Sequence, residues 1–367
     1  MKENMKSALF LMQDIRGGGA ELVTLNVVSG IVARGGEARI HTFSEKRADH
    51  ALPEDLAREG KSVFAARGGR AASLWRALRE AGVIVGSLEI KTHLAAVLFG
   101  TVFRKPVVLW LHKDLEVFLA NKGTPQRVIY KALFGLNLRF AQRTIAVSEG
   151  VAQSLRTMFP RHASRIVCIY NPIDIARIDS HMAGVPAVAP WMKNPFVLSV
   201  GRLTSQKGFD LLIRAFALVS ERVPGVDLVI LGQGEEREAL ERLADELGIA
   251  GRVHLPGFIK PHQAMARASL FVTSSRFEGL SLVLIEALYQ GARVISTDCP
   301  SGPREVLEGG RHGALIANGA VSDLADAIVR ELTTSDADDA KSTRRARAKD
   351  FSFDCILPEW ERLLGSV

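Results

Sequence analysis

One unit of pattern occurs twice in this chain and limits what it can fold into. Ser7-Ala8-Leu9-Phe10-Leu11-Met12 is a short apolar run, Gly17-Gly18-Gly19 a turn, and Ala20 to Ala33 a helical segment closed by Gly35-Gly36. The same order returns with Pro195-Phe196-Val197-Leu198-Ser199-Val200, the loop Gly201 to Gly208, and a helix from Phe209 to Arg222 stopped by Pro224-Gly225. Short apolar strands alternating with longer amphipathic segments predict β-α units on parallel sheets, an α/β fold begun twice. At roughly 150 residues per domain, 367 residues accommodate both.

Asp174 to Pro195 carries Pro186, Pro190 and Pro195 with little apolar periodicity and reads as the linker. The expected domains are therefore 1–185 and 190–353. The last helix, about Asp354 to Leu364, puts Ile356, Leu357, Trp360, Leu363 and Leu364 on one side. It packs either on its own domain or back on the first.

Several classes are excluded. A chain with 47% hydrophobic and 24% charged residues is not disordered. Cys168, Cys299 and Cys355 are odd in number and far apart, which argues against a disulfide scaffold or a cysteine zinc site and for a reducing cytoplasm. The longest apolar stretch, Leu94 to Leu111, is broken by Arg104-Lys105-Pro106 and is no membrane span. The first apolar run ends at Gln13-Asp14 and reads as a strand rather than a signal peptide.

The formal charge of +7 is uneven. Up to Pro190 there are 26 basic and 16 acidic residues, and after it 21 and 24, so the first half carries all the excess. Part of it lies in Lys122, Arg127, Lys131, Arg139 and Arg143, interleaved with Val128, Ile129, Leu133, Phe134, Leu136, Leu138 and Phe140. This is either a basic amphipathic face for anionic lipid or a core helix with one solvated side, and Gly135 interrupts the pattern.

In open α/β sheets ligands bind beyond the carboxyl ends of the strands, so the chemistry is sought in those loops. Gly17-Gly18-Gly19 opens a helix, where backbone amides bind anions, yet Leu22 stands where a dinucleotide fingerprint needs its third glycine. Arg202 and Lys207 lie in the matching loop of the second half, two cations suited to a diphosphate. Glu286 interrupts the otherwise apolar helix Leu282 to Tyr289 and needs a donor if buried; ribose hydroxyls or a salt bridge would serve. Glu278 precedes it in Phe277-Glu278-Gly279-Leu280-Ser281. His112 ends the strand Val107 to Leu111, a place for either a structural or a substrate-facing histidine. Asp336-Ala337-Asp338 has the look of a metal-binding acidic triplet but falls in a polar stretch and reads as solvated, so no metal site is expected.

Taken together, Gly17-Gly18-Gly19-Ala20-Glu21, Ser148-Glu149, Asn171-Pro172, Gly201-Arg202 with Lys207-Gly208, Gly257-Phe258, and Glu278 with seven residues before Glu286 resemble the retaining glycosyltransferases of family 4. Each motif is weak alone; in this order along nearly the whole chain they are specific. The resemblance implies a GT-B fold, two Rossmann-like domains with parallel sheets facing a central cleft, the last helix returning to the first. It places the nucleotide-sugar donor, UDP-linked by expectation, on the second domain. It implies Arg202 and Lys207 at the diphosphate, Glu286 at the ribose, and Glu278 with Gly279, Leu280 and Ser281 at the sugar and phosphates. Gly257-Phe258 would face the base, Gly18 and Gly19 would close over the phosphates, and His112 would approach the sugar, giving His112, Arg202, Lys207 and Glu278 catalytic roles.

The implied reaction is metal-independent, retaining transfer of a hexose or N-acetylhexosamine to a saccharide or lipid-linked glycan, with no cofactor and no nucleic acid. It implies a cytoplasmic enzyme, with peripheral attachment to the inner face of the membrane left open. Two departures stand out: His112-Lys113-Asp114 replaces a more usual His beside Asp, and Cys299-Pro300-Ser301-Gly302-Pro303-Arg304-Glu305 replaces a Gly-Gly-x-Pro-Glu segment. The second is similar to the subset that builds bacterial capsule or exopolysaccharide. The rival readings are an epimerase or hydrolase of the same fold and a non-catalytic basic module for membrane or nucleic acid.

Overall fold

The computed structural model describes residues 6–14, 19–43, 64–66, 71–88, 90–120, 122–183, 189–336 and 339–367. They form two units, Met1–Pro172 with Phe353–Val367, and Ile173–Ser352.

In the first unit the apolar runs become β1 (Ala8–Met12), β2 (Ala38–Thr42), β3 (Phe64–Ala66), β4 (Val83–Ser87), β5 (Val107–Leu111), β6 (Arg143–Ala146) and β7 (Ile166–Cys168). All pair in parallel, in the order β3-β2-β1-β4-β5-β6-β7. β1, β4 and β5 are buried at every residue, because helices cover both faces of the sheet and leave no side for polar alternation. The connecting helices are α1 (Gly19–Ala33), α2 (Ala71–Glu80), α3 (Ile90–Phe103), α4 (Leu115–Ala120), α5 (Thr124–Phe140) and α6 (Glu149–Met158). α5 runs through Gly135, correcting the reading of that residue as an interruption. A Cβ there would lie 3.3 Å from the Phe159 ring, so the glycine seats the helix on an aromatic.

The second unit opens with α7 (Ile175–Met182) and continues with β8 (Phe196–Val200), α8 (Phe209–Arg222), β9 (Asp227–Leu231), α9 (Arg237–Glu246), β10 (Val253–Gly257), α10 (His262–Arg267) and β11 (Leu270–Thr273). It ends with α11 (Leu282–Tyr289), β12 (Val294–Asp298), α12 (Pro303–Val306), β13 (Ala314–Ala317), α13 (Val321–Thr333) and α14 (Ala340–Lys349). Its sheet is parallel, in the order β10-β9-β8-β11-β12-β13. The order reverses between β1 and β4 in one unit and between β8 and β11 in the other. At such switch points adjacent loops leave in opposite directions and open a crevice at the carboxyl ends.

The boundary between the units lies at Pro172 and Ile173 rather than at 185–190. The expected linker begins instead as helix: the Asp174 carboxylate accepts from the Arg177 amide at 3.0 Å and caps α7. Ile178 is buried, and Asp179 accepts from the Tyr289 hydroxyl, so α7 packs within the second unit. Eight residues are too few for a helical period to stand out beside three prolines. Residues 184–188 lie outside the described residues.

The final helix, α15 (Phe353–Ser366), belongs to the first unit. Trp360 is fully buried, 4.5 Å edge-on from Trp110 and 5.8 Å from Phe10 between ring centroids. Gly30 of α1 allows this approach: a Cβ there would fall 2.6 Å from Leu357.

Candidate active site

Five of the residues singled out in the second half, Arg202, Lys207, Glu278, Gly279 and Leu280, lie in the loops at its switch point, with Ser281 leading into the next helix. Arg202 and Lys207 lie in the loop after β8, and Glu278 to Ser281 in the loop after β11. Gly208 joins these loops: it sits at φ +61°, and a Cβ would meet the Ser274 carbonyl oxygen at 2.2 Å, so only glycine fits. The Ser274 hydroxyl donates to the Lys207 carbonyl at 3.0 Å and Gln206 donates to the Phe277 carbonyl at 3.0 Å. Arg276 grips Asp210 with two bonds of 2.8 and 2.7 Å, holding the Asp210 carboxyl below its usual range.

Lys207 and Glu278 meet directly. The ammonium donates to Glu278 Oε1 at 2.6 Å, and the Ser275 hydroxyl donates to the same oxygen at 2.7 Å. Glu278 is 6% exposed and would be costly there without its cation. The motif reading treated the two as separate ligand contacts; the fold makes them one fixed pair. Arg202 is exposed and forms no ion pair with any described residue.

Gly279, Leu280 and Ser281 are buried and lead into α11, whose first amides have no partner within the helix. The Ser281 hydroxyl is buried without a hydrogen-bond partner among the described residues. Gly302, at φ +92°, presses on this segment, its Cβ position 3.2 Å from the Gly279 carbonyl oxygen. The unusual Cys299 to Glu305 stretch therefore backs the Glu278 loop. Burial, with the Glu278 charge adding to it, pushes the Cys299 thiol up to about 12, so it is no nucleophile.

Glu286 is not sealed in an apolar helix as its sequence setting suggests. Its side chain is 23% exposed, and Oε2 lies 3.6 Å from His262 Nε2. His262 in turn meets His181 of α7, Nδ1 to Nδ1 at 3.0 Å. No motif pointed to either histidine, because the contact depends on α7 lying beside α10. Gly257 ends the edge strand β10 at φ +91°, followed by an exposed Phe258. Asp336 is not simply solvated: it pairs with the buried Arg344, which also donates to the Gly291 carbonyl. Ala337 and Asp338 lie outside the described residues, and among the described residues no cluster of three His, Cys, Asp or Glu would hold a metal.

In the first unit, Gly17 and Gly18 fall outside the described residues, and Gly19 begins α1 with open space around it. His112 follows β5, its ring centroid 4.3 Å from that of Trp110 with the planes tilted by 43°. Burial pushes it down to about 3, the nearby His93 and Lys113 charges adding to the effect; burial alone takes His93 down to about 4 against its bond to the Trp110 carbonyl. The sign follows: both rings stay neutral in the folded chain while the unfolded chain binds protons below about pH 6.5. Stability is full above that pH and falls toward pH 4, by about 1.4 kcal/mol per pH unit per ring. In urea titrations, His93→Gln is expected to lose midpoint less steeply than wild type between these pH values. Equal slopes would mean that His93 titrates normally.

Residues 17–177 match the family described as Glycosyltransferase Family 4, and residues 186–349 the one described as Glycosyl transferases group 1. The chain is 32% identical over 281 residues to the lipopolysaccharide core biosynthesis glycosyltransferase LpsE of Rhizobium meliloti, covering 71% of this chain and 76% of that protein. The chain belongs to the family 4 glycosyltransferases.

Other relatives match over less of their length. The chain spans half of the glycosyltransferase MJ1059 of Methanocaldococcus jannaschii, at 34% identity over 47% of its own residues. It spans 62% of a Campylobacter jejuni N-acetylgalactosaminyltransferase named for a diphospho-undecaprenol substrate, at 33% identity over 63% of its own residues. Among solved structures, Anabaena HepE in complex with UDP and glucose superposes with a TM-score of 0.77 at 23% identity, over 99% of this chain and 100% of that one. The galactosyltransferase WaaB, without ligand, reaches 0.69 at 21% identity, over 99% of both chains. These likenesses show the GT-B fold of this glycosyltransferase.

Proposed function

We propose that this glycosyltransferase moves a hexose or N-acetylhexosamine, with retention and without a metal, from a UDP-sugar to a saccharide or lipid-linked glycan. The observation that carries the reading is the cation pair at the β8–β11 switch point, one ammonium clamped on Glu278 and one guanidinium free. When the anomeric carbon–oxygen bond breaks, its electron pair passes to the departing diphosphate oxygen. Arg202 and Lys207 stabilise that charge in the place where other transferases use a metal. The acceptor hydroxyl attacks the same face, its proton passing to the departing phosphate, so no protein nucleophile is needed. Glu286 accepts from the ribose, Phe258 lies at the base, and Gly279 to Ser281 lie at the sugar and phosphates.

The HepE structures, in complex with UDP and with UDP-glucose, support the choice of UDP as the donor nucleotide here. The diphospho-undecaprenol in the name of the Campylobacter relative favours a lipid-linked acceptor. A panel of nucleotide sugars screened by melting temperature with EDTA present is expected to show a rise with a UDP-sugar. Transfer to a lipid-linked oligosaccharide should then give the α-linked product from an α-linked donor. An inverted product, or binding lost in EDTA, would refute this reading.

We propose further that the first unit docks on anionic lipid. No helix among the described residues is long and apolar enough to cross a membrane. Yet Leu98 and Val102 of α3 and Val128, Ile129, Leu136 and Phe140 of α5 are 46 to 64% exposed, on helices that pack together. Residues 90–148 hold nine basic and two acidic side chains, the charge that an anionic surface complements. The chain should sediment with phosphatidylglycerol vesicles and not with phosphatidylcholine ones. Ile129→Asp with Leu136→Asp should abolish retention, and each of Arg127→Glu and Lys131→Glu should weaken it about fivefold or more. Absence of wild-type retention on anionic vesicles sinks the proposal.

A further inference from the structure

A chain of three hydrogen bonds in the first unit runs from the Ala20 carbonyl through Thr24 and Ser87 to His112 Nε2. The Thr24 hydroxyl on α1 lies 3.1 Å from the Ala20 carbonyl oxygen, which only accepts, so Thr24 spends its one hydrogen there. Thr24 Oγ1 also lies 3.0 Å from the hydroxyl of Ser87, the last residue of β4, and with the Thr24 hydrogen on the carbonyl the donor of this pair is Ser87. Ser87 has then spent its own hydrogen, and its oxygen, 3.3 Å from His112 Nε2, accepts from that nitrogen. That order of donors puts the His112 proton on Nε2 and its lone pair on Nδ1. Nδ1 is buried and has no partner among the described residues, although a buried ring acceptor is costly when unsatisfied. The neutral state that burial imposes on this ring agrees with an acceptor there.

We propose that Thr24 and Ser87 are positioning residues that hold His112 as its Nε2–H tautomer and so present Nδ1 as a preset acceptor for a substrate hydroxyl. The role of that hydroxyl rests on the reading of His112 as a sugar-facing residue; the proton order does not. The same chain links the ring to the first turns of α1.

The test is nitrogen NMR of the full-length chain labelled with 15N-histidine, His112 being assigned by His112→Asn. Wild type should show a bare Nδ1 and a protonated Nε2. Thr24→Val frees the Ser87 hydrogen to donate to Nε2 and should move His112 toward the Nδ1–H form; Ser87→Ala should give a mixture, and Thr24→Ser should match wild type. With the nucleotide-sugar donor, Thr24→Val and Ser87→Ala should lower kcat about three- to tenfold and leave UDP affinity unchanged, while Thr24→Ser retains activity. A protonated Nδ1 in wild type, or one tautomer throughout the series, overturns the proposal. The spectra need no substrate, so inactive wild-type protein would refute the transfer reading alone, leaving the proton order to be decided by the tautomers.

Discussion

Lys207→Met is expected to cost this chain stability and catalysis together, and the two losses should separate on a second substitution. Removing the ammonium leaves Glu278, 6% exposed, with the Ser275 hydroxyl as its remaining donor at that oxygen. A buried carboxylate stripped of its cation costs about 3 to 5 kcal/mol, read as a drop in urea midpoint. Adding Glu278→Gln removes the orphaned charge and should restore most of the midpoint. It should not restore transfer, because the departing diphosphate still lacks its cation; a loss of about 10²- to 10³-fold in kcat is expected. Arg202→Ala is the complementary case. The guanidinium is exposed and unpaired among the described residues, so stability should stay within about 0.5 kcal/mol while kcat/KM falls strongly. Arg202→Ala combined with Lys207→Ala should abolish transfer. Full activity in Arg202→Ala would remove this loop from the donor site.

The second large effect is expected at Glu286. Hydrogen bonds from ribose hydroxyls to an ionised carboxylate contribute about 1.5 to 3 kcal/mol, so Glu286→Gln should weaken UDP binding about 10- to 100-fold by calorimetry. The side chain is 23% exposed, and the fold should tolerate the change, which makes affinity the clean readout. UMP, which keeps the ribose and lacks the second phosphate, should lose affinity in the same proportion. Equal affinity of variant and wild type for UDP and for GDP would overturn the assignment.

Much of this was legible before any coordinates. The two strand–glycine–helix starts implied two parallel sheets, because a run buried on both faces has no polar alternation and requires a helical crossover to its neighbour. The loops after the strands were the right places to look for charge, since parallel strands all end on one side. Glu286 stood out by its apolar setting, and its pairing with Glu278 by the family resemblance. Other features were hidden because they depend on long-range proximity. Asp174 capping α7 moved the domain boundary by more than ten residues, and α7 then brought His181 against His262 and, through it, Glu286. Gly135 looked like a break and proved to be a seat for an aromatic ring.

What the sequence by itself determined is the class of the fold, the family, and the identity of the charged residues at the strand ends, because periodicity and residue type are local properties. Tertiary structure alone decided which charges neutralise one another and which remain available. Lys207 and Glu278 are 71 positions apart and become one ion pair only when β8 and β11 lie side by side, whereas Arg202, five residues from Lys207, stays free. Thr24, Ser87 and His112 likewise come from three separate parts of the chain and reach hydrogen-bond distance only in the fold. Electrostatic partners and proton positions are set by distances of about 3 Å in space, which separation along the chain does not encode.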